Sequence, residues 1–126
     1  MVENRQPDDF EYDDNINSIL KYINENLNED LSIESLSSGF YMSRYYLMHR
    51  FKEQTGYTVH SYILQKKLIM AHSLIKKGRP INEVSAECGF GDYSSFVRAF
   101  KKMFGLSPRN YYKSLVIISE RLFVCK

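Results

Sequence analysis

The 126 residues are 44% hydrophobic and 14% aromatic, enough to pack one domain or two very small ones sharing a helix, and far from the composition of a disordered chain. No apolar run reaches the roughly 18 residues a membrane span needs. The N-terminus is acidic rather than basic-then-apolar, and Cys88 and Cys125 lack paired spacing, so a cytoplasmic protein with free thiols is expected. The net charge of +2 conceals an asymmetry: residues 1–30 hold nine acidic side chains (Glu3, Asp8, Asp9, Glu11, Asp13, Asp14, Glu25, Glu29, Asp30) against Arg5 and Lys21, and 31–126 hold six acidic and 15 basic ones. A basic body behind an acidic leader suits a polyanionic partner, although charge alone is equally explained by a solvated basic surface.

Residues 1–14 lack hydrophobic periodicity and predict a flexible acidic arm or linker remnant. Next, Ile16, Ile19, Leu20, Ile23 and Leu27 mark one face of an amphipathic helix, which Asn28-Glu29-Asp30 ends. Ser32 is placed to cap a short helix that stops near Ser38-Gly39, and Ser43 to cap a longer one running toward Gly56. These complete a first subdomain over 15–57. Residues 58–77 form a long linker helix whose apolar positions (Val59, Tyr62, Ile63, Leu68, Met70, Ala71, Leu74, Ile75) spread round the circumference, predicting burial on several sides.

In the second subdomain, 78–113, Pro80 falls near the first position of a short helix that Gly89 ends. Asp92 caps a long helix that Gly105 stops, and Ser107-Pro108 opens a last helix. Residues 114–126 form an extension more apolar than a free terminus should be, which either prolongs the last helix and packs back or meets a partner.

The two subdomains are copies. Leu47, Phe51, Lys52, Gly56, Thr58 and Tyr62 recur 49 residues later as Phe96, Phe100, Lys101, Gly105, Ser107 and Tyr111; Ile33, Leu36 and Ser37 recur at 48 as Ile81, Val84 and Ser85. The one-residue difference falls in the turn between the helices, where length changes are best tolerated. Opposite the inward Leu47 and Phe51 lie Tyr45, Met48, His49 and Lys52; the equivalent second stripe is Ser94, Val97, Arg98 and Lys101. Any amphipathic helix has a polar outer face. The same mixture of hydrogen-bonding, cationic and methyl-bearing groups twice, each behind a short helix and a tight turn, favours major-groove readout.

The run Gly89-Phe90-Gly91-Asp92-Tyr93-Ser94-Ser95-Phe96-Val97-Arg98-Ala99-Phe100-Lys101-Lys102, followed by Gly105, Ser107, Pro108 and Tyr111, resembles the C-terminal signature of AraC/XylS-type transcription regulators. The first copy is similar to that family's first helix-turn-helix at Leu36, Ser43, Leu47, Phe51, Lys52, Gly56 and Tyr62, and the resemblance covers roughly 15–113. It implies an all-α fold of about seven helices in two helix-turn-helix lobes joined by one long helix, binding double-stranded DNA in bacterial transcription control. About 20 residues of linker helix span ~30 Å, near the ~34 Å between successive major grooves on one side of a duplex.

Carried over residue by residue, the resemblance implies base-reading roles for Arg44, Tyr45, Met48 and His49, and in the second reader for Tyr93, Ser94, Val97 and Arg98. Arg98 leads, because bidentate Arg–guanine pairing is the commonest specific contact. Ser43, Lys52, Ser95, Lys101 and Lys102 are the expected phosphate contacts, aided by helix N-termini. The family's small Ala in each short helix is replaced by Ser37 and Ser85, which can hydrogen-bond back to their own helices. Its linker-helix Arg is replaced by Lys67, which puts a bidentate contact in doubt. Tyr112 replaces an Arg, and His49 stands where an Arg often reads DNA. RNA polymerase and an N-terminal effector or dimerisation domain are the other implied partners.

A rival from another class is a helical protein-interaction module binding a regulator or RNA polymerase subunit; the basic body argues against it. An enzyme using Cys88 as nucleophile has no supporting constellation. No metal is expected, since His49, His60 and His72 are dispersed, and neither a cofactor nor a membrane partner is expected. The pairs Tyr45-Tyr46 and Tyr111-Tyr112 read as core plugs with a solvent-facing neighbour.

Overall fold

Seven α-helices, and no strand, make up the described residues, 14–124, in a computed structural model of the chain. They are α1 (Asp14–Glu25), α2 (Ile33–Gly39), α3 (Arg44–Thr55), α4 (Val59–Lys76), α5 (Ile81–Glu87), α6 (Tyr93–Phe104) and α7 (Pro108–Val124). Apart from Asp14, the expected arm at 1–14 lies outside the described residues, as does Cys125. Internal packing divides the helices into two units. One holds 14–26 and Asp30–Tyr62, the other Leu27–Glu29 and 63–124.

In the first unit, α1 buries Ile16, Ile19 and Ile23, spaced to share a helix face, and α1 and α2 both pack on α3. Leu31, Leu36, Leu47, Phe51 and Val59 are buried as well, with the Phe51 ring meeting Tyr62 edge-on at 5.6 Å. Each of these large side chains stabilises by about 1.5–3 kcal/mol through burial. The α1 helix ends sooner than its periodicity predicts. The Asn26 side-chain amide donates to the Tyr22 carbonyl at 2.8 Å, closing the last turn and leaving Leu27 beyond the helix.

The second unit packs Phe96 and Phe100 of α6 against Leu68, Ala71 and Ile75 of α4, Val84 of α5, and Cys88. His72 lies among rings, 4.4 Å from Tyr111 and 4.6 Å from Phe104 between centroids. Desolvation, helped by the charge of Lys76, holds its pKa below the usual 6.5. Ser37 and Ser85 are both buried, and the Ser37 hydroxyl bonds back to the Glu34 carbonyl at 3.2 Å. No buried side-chain nitrogen or oxygen lacks a partner among the described residues.

The caps follow the sequence closely. The hydroxyls of Ser32 and Ser43 accept from the amides of Ser35 and Tyr46, each at 3.1 Å, and the Asp92 carboxylate accepts from Ser94 and Ser95. Gly56 and Gly105 close α3 and α6 at φ +83°, where only glycine is unstrained. Pro80 is the N-cap of α5 rather than its first helical residue, and supplies no side-chain bond.

Both short helices end in one hydrogen-bond pattern. Met42 N–H donates to Ser37 and Tyr41 N–H to Ser38; in the second unit Phe90 donates to Ser85 and Gly89 to Ala86. This double bond pattern requires a left-handed residue just past the cap. Gly89 supplies it at φ +83°, whereas in the first unit the position falls on Tyr41 at φ +56°, with Gly39 still helical. The match holds at 48 residues through Phe90, so Gly91 is the inserted residue.

Gly89 carries a second constraint. A Cβ there would lie 2.5 Å from the Leu27 carbonyl oxygen and 3.2 Å from Asn28 Cα, because that segment passes directly over the turn. Lys67 Nζ donates to the Gly89 carbonyl at 3.1 Å and sits 5.9 Å from the Phe90 ring centroid. The sequence raised a doubt about bidentate bonding here; the lysine makes a single-point contact, and desolvation lowers its pKa.

Opposite mutational effects follow at the two turns. Tyr41 is 95% exposed, so Tyr41→Gly loses no packing and relieves left-handed strain, raising unfolding free energy by roughly 0.5–1 kcal/mol. Gly89→Ala meets strain and backbone collision together and should cost at least ~2 kcal/mol. Urea titrations followed by circular dichroism read both, and equal effects would refute the assignment of the turns.

Acidification should loosen the second unit. As pH falls, the unfolded chain takes up the His72 proton first, so stability present above about 6.5 is lost as pH drops through the lowered folded pKa. Comparing urea midpoints at pH 7.5 and 5.5, His72→Gln should lose less stability than the parent. Identical losses would show that another group controls the response.

Candidate nucleic-acid interface

Each unit ends its helix-turn-helix on a twelve-residue helix, α3 or α6, with one aromatic or leucine face fully buried and the other in solvent. On α3 the buried face is Leu47 and Phe51. Arg44, Tyr45, Met48, His49 and Lys52 are exposed, and Tyr45 stacks on His49 at 5.3 Å with planes 9° apart. Tyr45 and Tyr46 are 75% and 44% exposed, so neither plugs the core as expected: Leu47 takes the inward position and both tyrosines flank it. The pair on α7 behaves as expected, with Tyr111 packed against the core and Tyr112 outside.

The polar groups of this face are held lightly. Arg44 Nη1 bonds Glu34 Oε2 at 3.1 Å, with both side chains more than half exposed, an ion pair of the kind worth ~0–1 kcal/mol. Lys52 Nζ donates to the Gly56 carbonyl at 3.2 Å and reinforces the C-cap. Ser43 spends its hydroxyl on the Tyr46 amide. A phosphate at this end of α3 would therefore meet free backbone N–H groups and a neutral cap.

On α6 the exposed residues are Tyr93, Ser94, Arg98, Lys101, Lys102 and Met103. Val97, expected on the same stripe, is half-buried against the core, so only part of it faces outward. Arg98 Nη2 makes a long contact of 3.4 Å with Ser95 Oγ, and the Ser95 hydroxyl donates to Asp92 Oδ2 at 2.8 Å. That bond, with lesser help from the Ser94 and Ser95 amides and Arg98, lowers the Asp92 pKa. This helix begins with an anion where α3 begins with a hydroxyl.

Sequence reasoning missed the surroundings of Tyr93. A cleft of about 420 Å³ joins Tyr93 to Arg79, Asn82, Arg109 and Tyr112. Arg79 is occupied by Glu83 and Glu87. Arg109 is the available signal: it stands in the first turn of α7, where the helix dipole disfavours a cation.

Cys88 is not placed as a nucleophile. Cys88 is fully buried, and burial, with the Glu87 charge beside it, pushes the thiol up to about 11 despite Lys67. Among the described residues no three His, Cys, Asp or Glu side chains converge as metal ligands.

A fold with two helix-turn-helix units, each presenting one exposed polar helix face, defines a tandem DNA-binding domain. The family model described as a helix-turn-helix domain matches residues 36–114. The multiple antibiotic resistance protein MarA of Escherichia coli is 33% identical over 97 residues, covering 76% of each chain. The probable transcriptional regulator LumQ of Photobacterium leiognathi is 37% identical over 91 residues, 71% of this chain but only 37% of LumQ. Among solved structures, the DNA-binding domain of AdpA in complex with a target DNA aligns with a TM-score of 0.76 at 25% identity, covering 80% of this chain and 92% of that one. The chain belongs to the AraC/XylS-type family of transcription regulators, whose shared activity is sequence-specific DNA binding and not catalysis.

The buried thiol gives a check on the second unit. In a Cys125→Ser chain, Cys88 should alkylate at pH 8 on the order of 100-fold more slowly folded than in urea, since its thiolate is both scarce and covered. Equal rates would place Cys88 at the surface.

Proposed function

We propose that α3 and α6 are the two recognition helices of one asymmetric DNA site. Arg44, Tyr45, Met48 and His49 read bases in the first half, and Tyr93, Ser94, Val97 and Arg98 in the second. The observation that carries the reading is the repeated exposure of a polar stripe on a helix fixed by the same turn in both units. Arg98 is exposed and holds a long 3.4 Å contact with Ser95 Oγ, with the Asp92 charge close enough to be felt, so it has little to surrender to a base, which supports it as the principal base reader. Arg44 exchanges Glu34 for the duplex.

Lys52, Lys101 and Lys102 neutralise phosphates, Ser43 and the α3 N-terminus offer a further phosphate contact, and Arg109 adds a cation next to Tyr93. Ser95 contributes only after releasing Asp92. The protein acts in the bacterial cytoplasm. Activation as the mode of action is supported by relatives such as the F1 operon positive regulatory protein of Yersinia pestis, 39% identical over 100 residues, and contact with RNA polymerase is the route we propose for it. This chain spans about a third of that relative and of LumQ, which supports a separate effector-sensing or dimerising domain working with it.

Binding-site selection from random duplexes, followed by gel shifts on the selected site, tests the assignment. Arg98→Ala should cost roughly 1–3 kcal/mol and relax preference at one base pair, while Lys101→Ala should weaken all sequences alike and flatten the salt dependence. A uniform loss for Arg98→Ala across base variants would remove it from base reading. Absence of retardation with any duplex at low salt would favour a protein-binding role for the fold.

A further inference from the structure

Beside the first reader, within the first unit, lies an open groove of about 400 Å³ formed by α2, α3 and the start of α4. Its apolar surface comes from Ile33, Met48 and the buried Val59, together with the stacked rings of Tyr45 and His49. Lys52 and His60 add hydrogen-bond donors, and among the described residues no carboxylate lines it. Such a surface fits an anion that carries flat apolar groups, whereas a phosphate–sugar backbone would use the donors and leave the apolar part uncovered.

The chain contains a segment of that chemistry. Asp8-Asp9-Phe10-Glu11-Tyr12-Asp13 has four carboxylates and two aromatic rings in six residues, and no cation. A spacing of two puts both rings on one side of an extended chain, with Glu11 on the other. The segment adjoins α1, which belongs to the same unit as the groove. Six extended residues reach about 20 Å, comparable with the ~25 Å breadth of a unit of this size.

We propose that residues 8–13 dock in this groove, Phe10 and Tyr12 on its apolar surface and the carboxylates toward Lys52 and His60, as an internal competitor of DNA. The inference rests on the assignment of α3 as a reader, because the occupied groove covers Tyr45, Met48, His49 and Lys52. DNA then binds only the fraction of molecules with the groove free, and apparent affinity falls by that fraction. An occupancy of two thirds to nine tenths makes binding roughly three- to tenfold weaker.

The test uses the full chain and a fluorescent 20-base-pair duplex of arbitrary sequence at low salt, read by anisotropy. Phe10→Ser with Tyr12→Ser keeps every charge and should tighten binding by roughly three- to tenfold. His60→Ala, outside the reader stripe, should tighten binding in the parent but have no effect in the double variant, since the two act through one contact. Unchanged or weaker binding by the double variant overturns the proposal and leaves the reader assignment standing. Tightening only when the carboxylates are neutralised (Asp8→Asn, Asp9→Asn, Glu11→Gln, Asp13→Asn) also overturns it, because that is charge repulsion without docking. If no version binds duplex, the reader assignment and the proposal fall together.

Discussion

Everything on the exposed faces depends on one backbone event, the left-handed residue that closes each short helix. It lets the amide two residues past the cap reach back to the third-last helical carbonyl, and so fixes the direction in which the chain leaves. The next helix can then place Leu47 and Phe51, or Phe96 and Phe100, inward within its first three turns. The outward stripe is the geometric remainder. A turn of different hand would rotate the reading face away even if every side chain on it were kept.

Where function was legible, it was because the determinants are local. Caps at Ser32, Ser43 and Asp92, stops at Gly56 and Gly105, and the inward spacing of the long helices are settled within a few residues of chain. The repeat then located the inserted residue near the turn, and the hydrogen bonds narrow it to Gly91. What escaped the sequence depends on neighbours distant in the chain or on rotation about a helix. Gly39 looked like the turn residue, but the bond pattern puts the left-handed position on Tyr41. The Tyr45-Tyr46 pair reads as one core plug with a solvent-facing neighbour, but both rings are exposed. The cleft joining Tyr93 to Arg109 unites residues from α5, α6 and α7 that no motif connects.

The two units share a scaffold and differ in chemistry. The first reader is aromatic and begins at a neutral serine cap; the second is more cationic and begins at an aspartate that engages Ser95. An anion at the start of α6 repels phosphate from the dipole end and leaves Arg98, three residues beyond Ser95, as the forward contact. In α3 the same end is open to phosphate, and the side chains behind it offer rings and a thioether. One frame thus carries two different faces, the first suited to surface contact and the second to charge-assisted hydrogen bonding in the readout proposed above.

The strand of chain over Gly89 bears on how the molecule can be dissected. Leu27, Asn28 and Glu29 lie in the chain between α1 and the rest of the first unit yet belong with the second. A recombinant fragment starting at residue 63 would retain α5, α6 and α7 but lose the lid over its own turn, exposing the Gly89 backbone to water. No single scission yields the second half intact, and its boundaries must be drawn in space rather than along the polypeptide.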